Sequence, residues 1–68
     1  MIQITINGNP KNFEHSQLTV DELVTHLGLQ GKRLAIERNG EIVPRSLFPQ
    51  TELASGDKLE IVGAVGGG

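Results

Sequence analysis

The residues with the clearest capacity for chemistry are the last three, Gly66-Gly67-Gly68, which are expected to present an unencumbered terminal carboxylate. A carboxylate is a poor electrophile until one of its oxygens becomes a leaving group, as adenylation makes it. An enzyme doing this must thread the chain end into an enclosed nucleotide site, and glycine suits that path because it allows close backbone approach and bends through positive φ. Small residues at a terminus often mean nothing more than fraying. Here, however, the glycines follow an apolar, strand-like run with no polar linker between. Residues 66–68 are therefore expected to form a flexible arm, with the reactive carboxylate on Gly68 and with Gly66 and Gly67 threading a partner's active site.

Little else in the sequence offers a rival centre. The chain lacks cysteine, which excludes disulfides, thiolate metal ligands and a thiol nucleophile. His15 and His26 are the only histidines, and without cysteines or a carboxylate cluster they make no metal site and are expected to be solvated on the surface. Asp21 and Glu22 are neighbours in a helical stretch, so they point in different directions and serve the helix end better than acid–base catalysis. No nucleophile with an adjacent base and no phosphate-cradling loop is evident, so a catalytic role is not expected.

Composition narrows the class further. A chain of 68 residues has room for one domain, and a domain of that size buries only about 60% of its unfolded surface. Eight acidic and six basic residues are dispersed, and Phe13 and Phe48 are the only aromatics, which removes the basic face and stacking platform that nucleic-acid binding needs. The apolar runs fall far short of the roughly 20 residues that cross a bilayer, and no signal peptide is evident, so a soluble cytoplasmic protein is expected.

The elements that must carry the tail follow from periodicity. Ile2, Ile4 and Ile6 alternate with polar residues as in a half-buried strand. Gly8-Asn9-Pro10 reads as a turn, with Lys11–Glu14 returning as a second strand. Thr19 and Glu22 have capping-box spacing, and Val20, Leu23, Val24 and Leu27 form one helical stripe that Gly28 ends. Leu34–Arg38 and Glu41–Val43 flank Asn39-Gly40 as a hairpin. Pro44 closes it, and residues 45–55 read as irregular with one helical turn near Leu47 and Phe48, the latter a core plug. After the Ser55-Gly56-Asp57 turn, a last strand runs from Lys58 to about Val65, and its fully apolar end implies a central strand covered on both faces or docking a partner. Hairpin, helix, hairpin and strand together predict an α+β, β-grasp (ubiquitin-like) fold: a mixed sheet of about five strands crossed by one main helix, with residues 1–65 as the domain. Alternation should place some of the last strand's apolar side chains on the sheet face away from the helix, and Val62 and Val65 are the candidate partner-docking residues. Arg45, in the loop, is weighed between a partner contact and a solvated side chain.

Several runs make the sequence more specific. Asn39-Gly40-Glu41-Ile42-Val43-Pro44-Arg45-Ser46, then Thr51, Leu53, Gly56-Asp57, Glu60-Ile61-Val62 and Ala64-Val65-Gly66-Gly67-Gly68 together resemble the ThiS family, the sulfur carrier proteins of bacterial thiamine biosynthesis. The likeness covers essentially the whole chain. The terminal Gly-Gly by itself is shared with ubiquitin and with the small subunit of molybdopterin synthase. The resemblance implies that a ubiquitin-activating-type (ThiF-like) enzyme adenylates the Gly68 carboxylate at the expense of ATP. It implies further that sulfur from cysteine, supplied indirectly by a donor such as a cysteine desulfurase, converts this end to a thiocarboxylate. Thiazole synthase (ThiG-like) would then take the sulfur for the thiazole ring. The chain itself would hold no cofactor and perform no turnover. A carrier for molybdopterin or another metabolite, and a ubiquitin-like interaction module or protein modifier, are the alternatives.

Overall fold

The computed structural model describes residues 1–63. Strand β1 (Ile2–Ile6) sends Ile2, Ile4 and Ile6 into the core, as its alternation requires. It pairs antiparallel with β2 (Asn9–Phe13). The turn between them is Asn7-Gly8, one position earlier than expected, with both residues at positive φ (51° and 85°). That combination defines the two-residue turn whose twist matches a hairpin. Pro10 consequently lies inside β2, opposite Thr5, and β2 tolerates it because it is the sheet edge.

The capping box forms as the Thr19–Glu22 spacing demands. The Thr19 hydroxyl accepts from the Glu22 amide at 3.1 Å, and a Glu22 carboxylate oxygen accepts from the Thr19 amide at 2.8 Å. Helix α1 (Val20–His26) is only seven residues long, so it owes its stability to this cap and to burial of Val20, Leu23 and Val24 rather than to its own propensity. The two-residue strands β3 (Leu18–Thr19) and β6 (Glu52–Leu53) pair beside it, bringing buried Leu18 opposite buried Leu53. This small second sheet was not expected, because two-residue strands leave no periodicity to read.

Strand β4 (Leu34–Arg38) and the short β5 (Glu41–Ile42) form the second hairpin around Asn39-Gly40, again with both turn residues at positive φ (51° and 88°). Residues 45–55 are more ordered than expected. A 3-10 helix spans Arg45–Gln50, buries Phe48 as the core plug, and leads into β6. Strand β7 (Lys58–Gly63) runs between β1, to which it is parallel, and β4, to which it is antiparallel, giving the order β2-β1-β7-β4-β5.

The sheet is therefore mixed, five-stranded and crossed by one helix, the β-grasp layout expected from the element order. Of the two readings of the apolar end of β7, coverage on both faces is not met by the described residues: the strand is central yet covered on a single face. Leu59 and Ile61 are buried beneath the helix while Lys58, Glu60 and Val62 are exposed. Fully buried Ile4, Leu18, Leu23, Ile36, Leu59 and Val20 make up the heart of the core, and each such Leu, Ile or Val side chain is worth about 1.5–3 kcal/mol. Among the described residues no helix is long and apolar enough to cross a membrane.

Removing the cap tests the account of α1. Thr19→Ala should lower the unfolding free energy by about 1 kcal/mol, read from urea titration, whereas Thr19→Ser, which keeps the hydroxyl, should stay close to the parent.

Candidate functional site

The chain beyond Gly63 leaves from β7, so whatever fixes β7 fixes where the tail begins. Its pairing with β1 is short: Thr5 faces Lys58, Ile6 faces Leu59, and β1 then enters its turn. Past that point the backbone of Ile61 would lose its partner on the β1 side. Asn7 supplies one from its side chain: its Oδ1 accepts from the Ile61 amide at 2.8 Å and its Nδ2 donates to the Ile61 carbonyl at 3.0 Å. The Asn7 backbone amide also donates to the Leu59 carbonyl at 2.9 Å. A primary amide carries a donor and an acceptor side by side, so it continues the ladder as a further peptide group would.

The start of β7 is held by the other hairpin asparagine. Asn39 Oδ1 accepts from the Lys58 amide at 2.9 Å, and Asn39 Nδ2 donates to Asp57 Oδ1 at 3.0 Å. Asp57 Oδ2 accepts from the Ala54 amide and from Arg38 Nε, both at 2.8 Å. Burial of Asp57, 7% exposed, would raise its carboxyl pKa, but the hydrogen bonds from Ala54, Asn39 and Arg38 outweigh it and hold the group below its ordinary value of 3.8. Both ends of β7 are thus clamped by a turn asparagine.

The candidate docking residues are not brought together. Val62 is 58% exposed on the outer sheet face, away from the helix. Arg45 lies in the layer of α1, exposed at the rim of a depression lined by Asp21, Val24, Leu29 and Phe48. One flat partner surface does not reach both. Val65, Gly66, Gly67 and Gly68, and with them the expected flexible tail, lie outside the described residues.

Of the two histidines, His26 is exposed as expected and only His15 departs from the solvated reading. His15 is half-buried, its Nε2 lies 3.3 Å from His26 Nε2, and its Nδ1 is buried without a partner; His26 is exposed and meets Phe13 edge-on. Among the described residues no group of three or more candidate metal ligands occurs. The Glu22 carboxyl is held below its ordinary value chiefly by the Thr19 backbone hydrogen bond, which fits its capping role.

Sequence reading missed Asn7 and Asp57. Asn7-Gly8 repeats the dipeptide of Asn39-Gly40, and that repetition was the available signal; Asn9-Pro10 drew the turn one residue too late. Nothing in Ser55-Gly56-Asp57 distinguishes a solvated turn aspartate from one facing Arg38 across the sheet.

A five-stranded mixed sheet with one crossing helix, and a last central strand clamped at both ends, define a ubiquitin-like β-grasp domain. Comparison with known proteins narrows this. A family model described as the ThiS family matches residues 4–68. The sulfur carrier protein ThiS of Bacillus subtilis is 32% identical over 65 residues, covering 96% of this chain and 98% of that protein. The crystal structure of a thiamine biosynthesis protein (ThiS) from Geobacter metallireducens superposes with a TM-score of 0.85 at 33% identity, covering 98% of this chain and 100% of that one. The chain belongs to the ThiS family. It is also 46% identical over 67 residues to a thiazole synthase of Paramagnetospirillum magneticum, where it covers 98% of its own length and spans 20% of that protein.

Two predictions follow from the clamps. Asn7→Gly keeps the positive φ and removes only the amide, so it should cost about 1–2 kcal/mol for two hydrogen bonds; hydrogen exchange should show the Ile61 amide losing protection first. For Asp57, the folded protein binds the carboxyl proton more weakly than the unfolded chain does. Its stabilisation is therefore complete above pH 3.8 and is lost as pH falls from there through the depressed folded value. Asp57→Asn sets an NH2 group against a donor in either orientation. It should cost about 1.5–3 kcal/mol at neutral pH and flatten the acid limb of stability against pH in denaturant titrations.

Proposed function

We infer that the chain is a sulfur carrier of thiamine biosynthesis and that its reactive group is the Gly68 carboxylate. The observation that carries this reading is membership of the ThiS family over residues 4–68, a match that runs through Gly66-Gly67-Gly68. The clamped β7 supports it: a carrier presented to an enclosed active site gains from a rigid departure point, because ordering a loose base on docking would cost binding free energy.

In this reading a ubiquitin-activating-type, ThiF-like enzyme transfers AMP from ATP to the Gly68 carboxylate and releases pyrophosphate. The acyl phosphate link turns a poor leaving oxygen into a good one. Sulfur drawn indirectly from cysteine, as the persulfide formed by a cysteine desulfurase, then displaces AMP to give an acyl disulfide, and a thiol reductant cleaves its S–S bond to leave a thiocarboxylate. Gly66 and Gly67 present no side chain to a narrow channel, and sulfur on a glycine carboxyl carbon is open to attack from any side. The likeness to a thiazole synthase supports a ThiG-like enzyme as the consumer of that sulfur. The chain contributes no catalytic group and holds no cofactor; ATP is spent by the partner. A cytoplasmic setting fits this chemistry.

Genetic rescue tests the reading. A bacterial strain without its own thiazole sulfur carrier, given the full chain, should grow without added thiazole, and the same chain lacking Gly68 should not restore growth. Rescue by the truncated chain would overturn the tail chemistry, and failure of the full chain alongside restored molybdopterin synthesis in the matching strain would move the carrier to that pathway.

A further inference from the structure

The outer face of the sheet carries an arrangement that folding does not call for. Register places Glu37 of β4 directly opposite Glu60 of β7, and Ile42 of β5 directly opposite Glu37 on the other side. Residues opposite one another share a face, with Cβ atoms about 5 Å apart, and like charges in that position are destabilising. Two pairs further along the ladder, the next on this face, Ala35 faces Val62. Two carboxylates side by side are therefore bordered by apolar side chains, and Val62 and Ile42 are 58% and 63% exposed.

Among the described residues neither carboxylate of the pair forms an ion pair. Among the described residues the ion pair is that of Arg38 with Asp57, and residues 64–68 contain no cationic side chain. Lys58 precedes Glu60 by two positions on β7 and forms no ion pair with it among the described residues. A cost of this kind, next to two of the larger exposed apolar side chains, is what a surface shows when its complement is on another molecule.

The patch also lies at the base of the tail. Val62 precedes Gly68 by six residues, which span at most about 20 Å fully extended. A protein seated on this face has the chain end within that radius of its contact with Val62.

We propose that Glu37 and Glu60, framed by Val62 and Ile42, form an acidic docking patch that receives an arginine or lysine side chain of the enzyme that activates the tail. This rests on the carrier reading given under Proposed function and adds to it the chemistry of the partner's surface. A guanidinium is the better fit, since its planar fork addresses two carboxylates together, while apolar side chains of the same enzyme cover Val62 and Ile42. Arg45 stands in the helix layer and takes no part.

Calorimetric titration of the full chain with the ubiquitin-activating-type enzyme of its own cell, at low and at high salt, tests the proposal with the variant Glu37→Gln/Glu60→Gln. The variant should bind at least about tenfold weaker at low salt, the loss expected when a buried charge pair loses its partner, and its affinity should respond less to salt than the parent's. Its thermal midpoint should match or exceed the parent's, because the repulsion is gone; this separates lost docking from lost folding. Unchanged affinity, or a weaker affinity that keeps the parent's salt response, would overturn the proposal. The mass of the parent chain after incubation with the enzyme, ATP and a sulfur source reports separately on the carrier reading, so a failure there leaves the docking result to stand or fall alone.

Discussion

The structure depends most on how β7 is held. Its antiparallel ladder with β4 covers five residue pairs as far as Gly63, whereas its pairing with β1 covers two, and the side-chain amide of Asn7 extends that shorter side to Ile61. At the other end Asn39 and Asp57 tie the strand to the β4–β5 turn and to Arg38. The two asparagines do this because they occupy the first position of matching turns. Positive φ there turns each side chain back toward the sheet, and asparagine accepts that backbone conformation while offering both a donor and an acceptor. A hairpin turn and a strand clamp are thus one residue's work.

Everything that serves the tail builds on this strand. Leu59 and Ile61 anchor it in the core under α1, so the helix, its cap and the isoleucines of β1 act as the counterweight that keeps β7 in place. The opposite face of the same strand stays free, with Val62 and Glu60 open to a partner and beside Glu37. A central strand with one bare face differs from a central strand sandwiched between two layers. It leaves a small domain with one open sheet face, the surface on which the docking proposal rests.

Much of this was legible in the sequence. The strict alternation of Ile2, Ile4 and Ile6, the Thr19–Glu22 box and the Val20–Leu27 stripe each encode a local structure, and each formed as expected to within a residue. The order of those elements led to the β-grasp layout, and the run from Asn39 to Ser46 with the glycine ending led to the family. What escaped reading was non-local. Whether Asn7 reaches Ile61, whether Asp57 is solvated or buried against Arg38, and whether Glu37 faces Glu60 depend on strand register, and no single segment contains it. Arg45 was hard to place for a similar reason: its direction is set by a 3-10 helix whose short repeat leaves no clear pattern. The chemistry expected of Gly66-Gly67-Gly68 rests on residue type and on the family resemblance, since a glycine offers a partner nothing but backbone.

The central claim is that the Gly68 carboxylate carries sulfur. Intact-mass measurement of the chain after incubation with its activating enzyme, ATP and a sulfur source addresses it most directly. The account predicts an increase equal to exchanging one oxygen for one sulfur, located by fragmentation to the C-terminal peptide. An unchanged mass under conditions where the enzyme consumes ATP on this chain, or sulfur found on any other residue, would contradict it.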